Sequence, residues 1–141
     1  MRRQEPRRCA LRQRLRWRFD PVAAGWALGL FVVLVLLATV GAGLGWLRSF
    51  AGDVLAVVWV HCVLASVVWL RPPTRPLLAL AVGLAVEAAQ YVSQQTGWQV
   101  TSPVLRIVLG STPDLLDVVA YAIGFGLACV MEQRMAGKPA A

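Results

Sequence analysis

The chain has 141 residues, 58% of them hydrophobic and only 15% charged, where soluble domains carry roughly 25% charged residues. With a mean hydropathy of +0.64, that composition excludes an ordinary soluble domain and describes one polytopic membrane domain. The net charge of +7 raises nucleic acid as a partner, since basic patches bind phosphate. However, eight of the fourteen basic residues (Arg2, Arg3, Arg7, Arg8, Arg12, Arg14, Arg16 and Arg18) directly precede an apolar run with no recognition motif beside them. They read as a topology signal, not a nucleic-acid site.

Residues 1–21 form this basic tail, placed on the cytoplasmic side. Leu11, Arg12, Leu15, Arg16 and Phe19 have the spacing of a short helix on anionic lipid, and a loose tail is the simpler reading. The first span, about 22–40, is free of charge and close to the about 20 apolar residues that cross a bilayer. Trp26 and Trp46 suit the aromatic belts of the two interfaces. The run is long for a signal peptide and lacks a clear cleavage site. Gly25 and Gly29 make a small-xxx-small pair.

A glycine-rich turn is expected over 41–52, with Asp53 at the start of a second span, 54–70, that carries His61. The R-P-P-T-R-P loop at 71–76 separates it from a third span, 77–92, which holds Glu87 and Gln90. The connection 93–113 contains Ser102-Pro103, an N-cap followed by proline at N1, so a short interfacial helix is expected there. The fourth span, 114–131, starts after Thr112-Pro113, and 132–141 is a cytoplasmic tail that includes Glu132. The expected fold is thus all-α: a bundle of four transmembrane helices with both termini in the cytoplasm. Twelve of the fourteen basic residues then lie inside, leaving Arg48 and Arg106 outside.

That threading brings the polar residues of the spans to the outer side. Gly83, Glu87 and Gln90 share one helical face, as do Asp114, Asp117, Tyr121 and Gly124. Ala120, Gly124 and Ala128 form a close-packing stripe beside them. An ionised carboxylate facing lipid costs about 2.5–3.5 kcal/mol on insertion scales, so this face should point into the bundle. Asp53 and Asp114 each have an alternative role at a helix N-terminus. For Glu87 and Asp117, which lie deeper, the alternative is an interhelical bond with Arg106, Gln90 or Tyr121. His61, alone in mid-span, reads as a buried histidine bonded to a neighbour. Cys9, Cys62 and Cys129 match neither a zinc site nor a disulfide framework and read as packing residues. No metal-ligand pattern, nucleophile elbow or phosphate loop is present, and no cofactor is expected.

Five pieces in order, R-S-F-A-G-D-V-L (48–55), R-P-P (71–73), V-E-A-A-Q (86–90), R-x-x-x-G (106–110) and D-V-V-A-Y-A-I-G (117–124), resemble a family of small bacterial membrane proteins, domain of unknown function 2809. The resemblance covers about residues 48–131 and carries that family's polar pattern onto Asp53, Glu87, Gln90, Arg106 and Asp117, with Tyr121 and Gly124 behind. Where the family tends to an aromatic-rich stretch before the last aspartate, this chain has Pro113-Asp114. The pattern E-x-x-Q…D is also similar, more distantly, to the VanZ-like family associated with teicoplanin resistance, although Tyr121 stands where that family usually has asparagine. Together these readings lead to a multi-pass protein of a bacterial cytoplasmic membrane. Its partners are membrane lipid and a polar or lipid-linked envelope component held by Asp53, Glu87, Gln90, Arg106, Asp117 and Tyr121. Two alternatives stand beside it: an enzyme using paired carboxylates on a lipid-linked substrate, and a structural subunit packed against a membrane protein partner.

Overall fold

The structure, a computed structural model, describes residues 16–17, 19–71, 73–97 and 115–136. Four helices, each long and apolar enough to cross a membrane, account for nearly all of it: α1 (Pro21–Thr39), α2 (Trp46–Val67), α3 (Thr74–Thr96) and α4 (Leu115–Ala136). The chain is an all-α integral membrane bundle. The interfacial helix expected before the last span, Arg106 and Asp114 all lie outside the described residues.

Helix α1 begins as its sequence dictates. The Asp20 carboxylate accepts from the backbone N–H groups of Val22 and Ala23, at 2.9 and 3.2 Å, and Pro21 occupies the first turn. The tail is also tied down just before this point. A two-residue strand β1 (Arg16–Trp17) pairs antiparallel with β2 (Val68–Trp69), and the Asp20 N–H donates to the Ser66 carbonyl at 2.9 Å. The start of α1 is therefore pinned beside the end of α2.

The glycine-rich turn is shorter than the sequence suggested. A 3-10 turn (Val40–Leu44) follows α1, and Gly45, at φ +53° and ψ −129°, reverses the chain in a conformation open only to glycine. Helix α2 then starts at Trp46, not at Val54. Gly52 belongs to the helix, where a Cβ would come within 3.9 Å of Leu37 on α1. This glycine faces a neighbouring helix instead of a turn, so a turn extended over the whole glycine-rich stretch 41–52 places the start of α2 too late. Helix α3 similarly runs past Val92 to Thr96, until Gly97 ends it in the left-handed region (φ +68°).

Helix α2 is the hub: α1, α3 and α4 all pack against it, and α3 packs on α4. Small side chains set the distances. Ala27 of α1 meets Val58 and Cys62 of α2, while Ala79 of α3 and Tyr121 of α4 close over Val57. Large apolar residues such as Phe31, Leu36, Leu78, Val82, Leu116 and Ile123 remain exposed, as expected where lipid is the solvent. Trp17, Phe19, Trp26 and Trp69 are exposed at one end, and Trp46 and Tyr91 at the other, consistent with two aromatic belts. We refer to the end where α2 and α4 begin as the upper end and to the opposite one as the lower end.

Candidate functional site

Because Gly52 lies within α2, Asp53 falls in the second turn of that helix and does not cap it. Its side chain reaches the beginning of α4. The Asp53 and Asp117 carboxyls are within hydrogen-bonding reach of each other, and Glu87 of α3 interacts electrostatically with Asp53. The buried Tyr121 ring packs against the face of Gly83, whose Cβ position is 3.3 Å from it, and the Tyr121 hydroxyl feels the charge of Asp53, Glu87 and Asp117 together. A polar cluster thus sits at the upper junction of α2, α3 and α4. Gln90, one turn beyond Glu87, points a buried Oε1 that has no hydrogen-bond partner among the described residues. Asp53, Glu87, Gln90 and Asp117 are all half-buried.

The cluster exists because two helices approach closely beneath it. Ala120, Gly124 and Ala128 are buried along α4. A Cβ on Gly124 would lie 2.7 Å from the Val54 carbonyl oxygen and 2.9 Å from Val57 Cβ, so only glycine admits the α2 backbone here. At Gly124 the expected small-residue stripe thus packs against α2 of the same chain. Gly25 and Gly29 of α1 behave oppositely: nothing lies within 4 Å of either Cβ position.

Sequence reasoning missed a second cluster at the lower end. Glu132 belongs to α4, not to a tail, and is only 4% exposed. Its Oε2 lies 3.5 Å from His61 Nε2 and 3.6 Å from Arg75 Nη1. The signal was present in the register of α4, since Asp117, Tyr121, Gly124, Ala128 and Glu132 follow one another at helical spacings of four and three. Continuing that face by one more turn would have placed Glu132 in the bundle. His61 is fully buried, as expected, but its neighbours are ionic.

A bundle of four helices with apolar outer faces, each long enough to cross a bilayer, defines a multi-pass membrane protein. Residues 42–125 match the family described as protein of unknown function (DUF2809), and the chain belongs to that family. The matched segment contains α2, α3 and the part of α4 that carries Asp117 and Tyr121. No curated protein and no solved structure matches the chain.

Proposed function

We propose that the upper cluster is an outward-facing pocket that binds a polar or lipid-linked component of the bacterial cell envelope. The observation that carries this reading is the convergence of Asp53, Glu87 and Asp117, from three helices, around the Tyr121 hydroxyl. Carboxylates inside a transmembrane bundle are costly, and such residues face cavities, partners or ligands. Oxygen acceptors favour a headgroup rich in donors, such as hydroxyls or an amine. Gln90 offers a further acceptor. Arg106, which the connection between α3 and α4 supplies, would pair with an anionic group of the same ligand or with a carboxylate.

Orientation rests on charge. With the lower end cytoplasmic, the arginine tail, Arg71, Arg75 and Arg134 all lie inside, and the pocket faces out of a cytoplasmic membrane. A strain carrying both Glu87→Gln and Asp117→Asn, with the protein still folded and inserted, should show the envelope defects of a deletion strain. Wild-type behaviour in that strain would refute the reading.

The Asp53–Asp117 contact also favours a second reading, in which one carboxyl donates and the other accepts a proton on a bound lipid-linked substrate. Turnover of an isoprenoid or glycolipid substrate by the purified protein, lost in Asp117→Asn, would select it over simple binding.

A further inference from the structure

The lower cluster plays no part in the pocket proposed above, and its geometry is unlike that of a static ion pair. His61 from α2, Arg75 from α3 and Glu132 from α4 meet with His61 0% and Glu132 4% exposed. Arg75 is held in place from two sides, by Glu132 Oε2 at 3.6 Å and by the Leu70 carbonyl, to which its Nη2 donates at 3.3 Å. Yet His61 Nδ1 and Nε2, Arg75 Nε and Glu132 Oε2 are all buried without a hydrogen bond among the described residues. Structural ion pairs in a low-dielectric interior fill such valences, because an unfilled buried donor or acceptor is costly. Of these four atoms, His61 Nε2 and Glu132 Oε2 face each other at 3.5 Å, a donor–acceptor pair short of a hydrogen bond with room for a proton to be taken up between them.

The surroundings narrow what that is. Among the described residues, the charged groups facing His61 are Arg75 from α3 and Glu132 from α4. From α1, the neighbours of this part of α2 are Ala27 and Leu30, which are apolar. Asp20, the nearest acidic residue of α1, spends its carboxylate on Val22 and Ala23. Cys62 and Cys129 are free thiols on α2 and α4. With the imidazole neutral, the charges of Arg75 and Glu132 cancel; one added proton on either His61 or Glu132 leaves the cluster at +1. The 3.5 Å between Nε2 and Oε2 exceeds a direct N–H···O bond by a few tenths of an ångström, a gap that a small side-chain rotation closes.

We infer that His61 and Glu132 form a proton-exchange site: a proton given up by hydronium at the lower end is held between Nε2 and Oε2, and returns to water when it leaves. Whichever of the two groups holds it, the added proton offsets the Glu132 charge that faces Arg75, so the tie between α3 and α4 loosens when the proton is taken up. The site stands on the same seam as the acidic cluster. Asp53, Val57 and His61 face one way along α2 at intervals of four, and Asp117 to Glu132 run along α4. Between the two ends, the Val54 carbonyl and Val57 close against Gly124. The inference does not depend on what the upper pocket binds.

The chain contains one histidine, so labelling with nitrogen-15 histidine reports on His61 alone. The test is solid-state nuclear magnetic resonance of the full chain in lipid bilayers, titrated across the range in which its helices stay formed. A proton-exchange site predicts that the His61 Nε2 resonance moves with pH in a single transition. The midpoint of that transition should shift by about one pH unit or more, tenfold in proton affinity, in Glu132→Gln. Nitrogen resonances unchanged across the whole range in the wild-type chain would overturn the proposal without recourse to any variant. So would a transition whose midpoint Glu132→Gln leaves in place. If Glu132→Gln does not fold, Glu132→Asp, which keeps the charge and changes the reach, must move the midpoint; an unmoved midpoint there overturns the proposal equally.

Discussion

Replacement of Gly124 by alanine tests the helix packing that builds the site. The added methyl carbon would sit 2.7 Å from the Val54 carbonyl oxygen and 2.9 Å from Val57 Cβ, where ordinary contact begins at 3.4 Å. The nearer obstacle is backbone, which no rotamer change can remove, so α2 and α4 must part. Overpacking of this kind costs about 1–3 kcal/mol. Alanine also gains about 1 kcal/mol of helix propensity over glycine, but Gly25→Ala and Gly29→Ala make the same gain in open space. The difference between Gly124→Ala and either control therefore isolates the clash. Equilibrium unfolding in mixed micelles should place Gly124→Ala below Gly25→Ala by about 1–3 kcal/mol, a shift of roughly fivefold to a hundredfold in the unfolding equilibrium. Equal stability of the two variants would mean that α2 and α4 do not meet at Gly124, and the juxtaposition of Asp53 and Asp117 would fall with it.

Other outcomes follow from the same contacts. Removing the helix cap in Asp20→Ala should destabilise the chain by about 0.5–2 kcal/mol, with faster hydrogen exchange confined to the first turn of α1. Gly45→Ala forces a side chain into a conformation at φ +53° and ψ −129° and should cost about 1–3 kcal/mol, measured in the same unfolding assay. Glu132→Ala leaves Arg75 without its counter-charge and should cost about 3–5 kcal/mol, whereas the double replacement Arg75→Met with Glu132→Leu should recover most of that loss. A double variant no better than the single one would show that the charges themselves are not what strains the single variant.

The four helices were legible because lipid requires long apolar runs, and between its turns this chain interrupts them only with isolated polar residues such as Asp53, Glu87 and Asp117. Helical spacing was enough to gather Glu87, Gln90 and Gly83 on one face, and Asp117, Tyr121 and Gly124 on another. Two features were hidden for different reasons. Asp53 follows a glycine, which suggested a helix start; only the packing of Gly52 against Leu37 reveals that the helix began seven residues earlier, at Trp46. Glu132 begins a polar C-terminal sequence, so composition assigned it to a tail. Its partners, His61 and Arg75, stand 71 and 57 positions away in the sequence, and no local pattern joins them. The helix α1, by contrast, carries a small-xxx-small pair at Gly25 and Gly29 that meets nothing within 4 Å among the described residues, so the same motif is occupied on one helix and open there on another.

The most direct test of the proposed pocket is native mass spectrometry of the gently solubilised protein beside its Asp117→Asn variant. Asp117 lies in the first turn of α4 and shares its contact with Asp53 across the α2–α4 seam. The expected result is a retained lipid or lipid-linked species on the wild-type protein that is lost or strongly reduced in Asp117→Asn, with both proteins equally folded. An identical set of bound species on the two proteins would contradict a ligand site at this cluster.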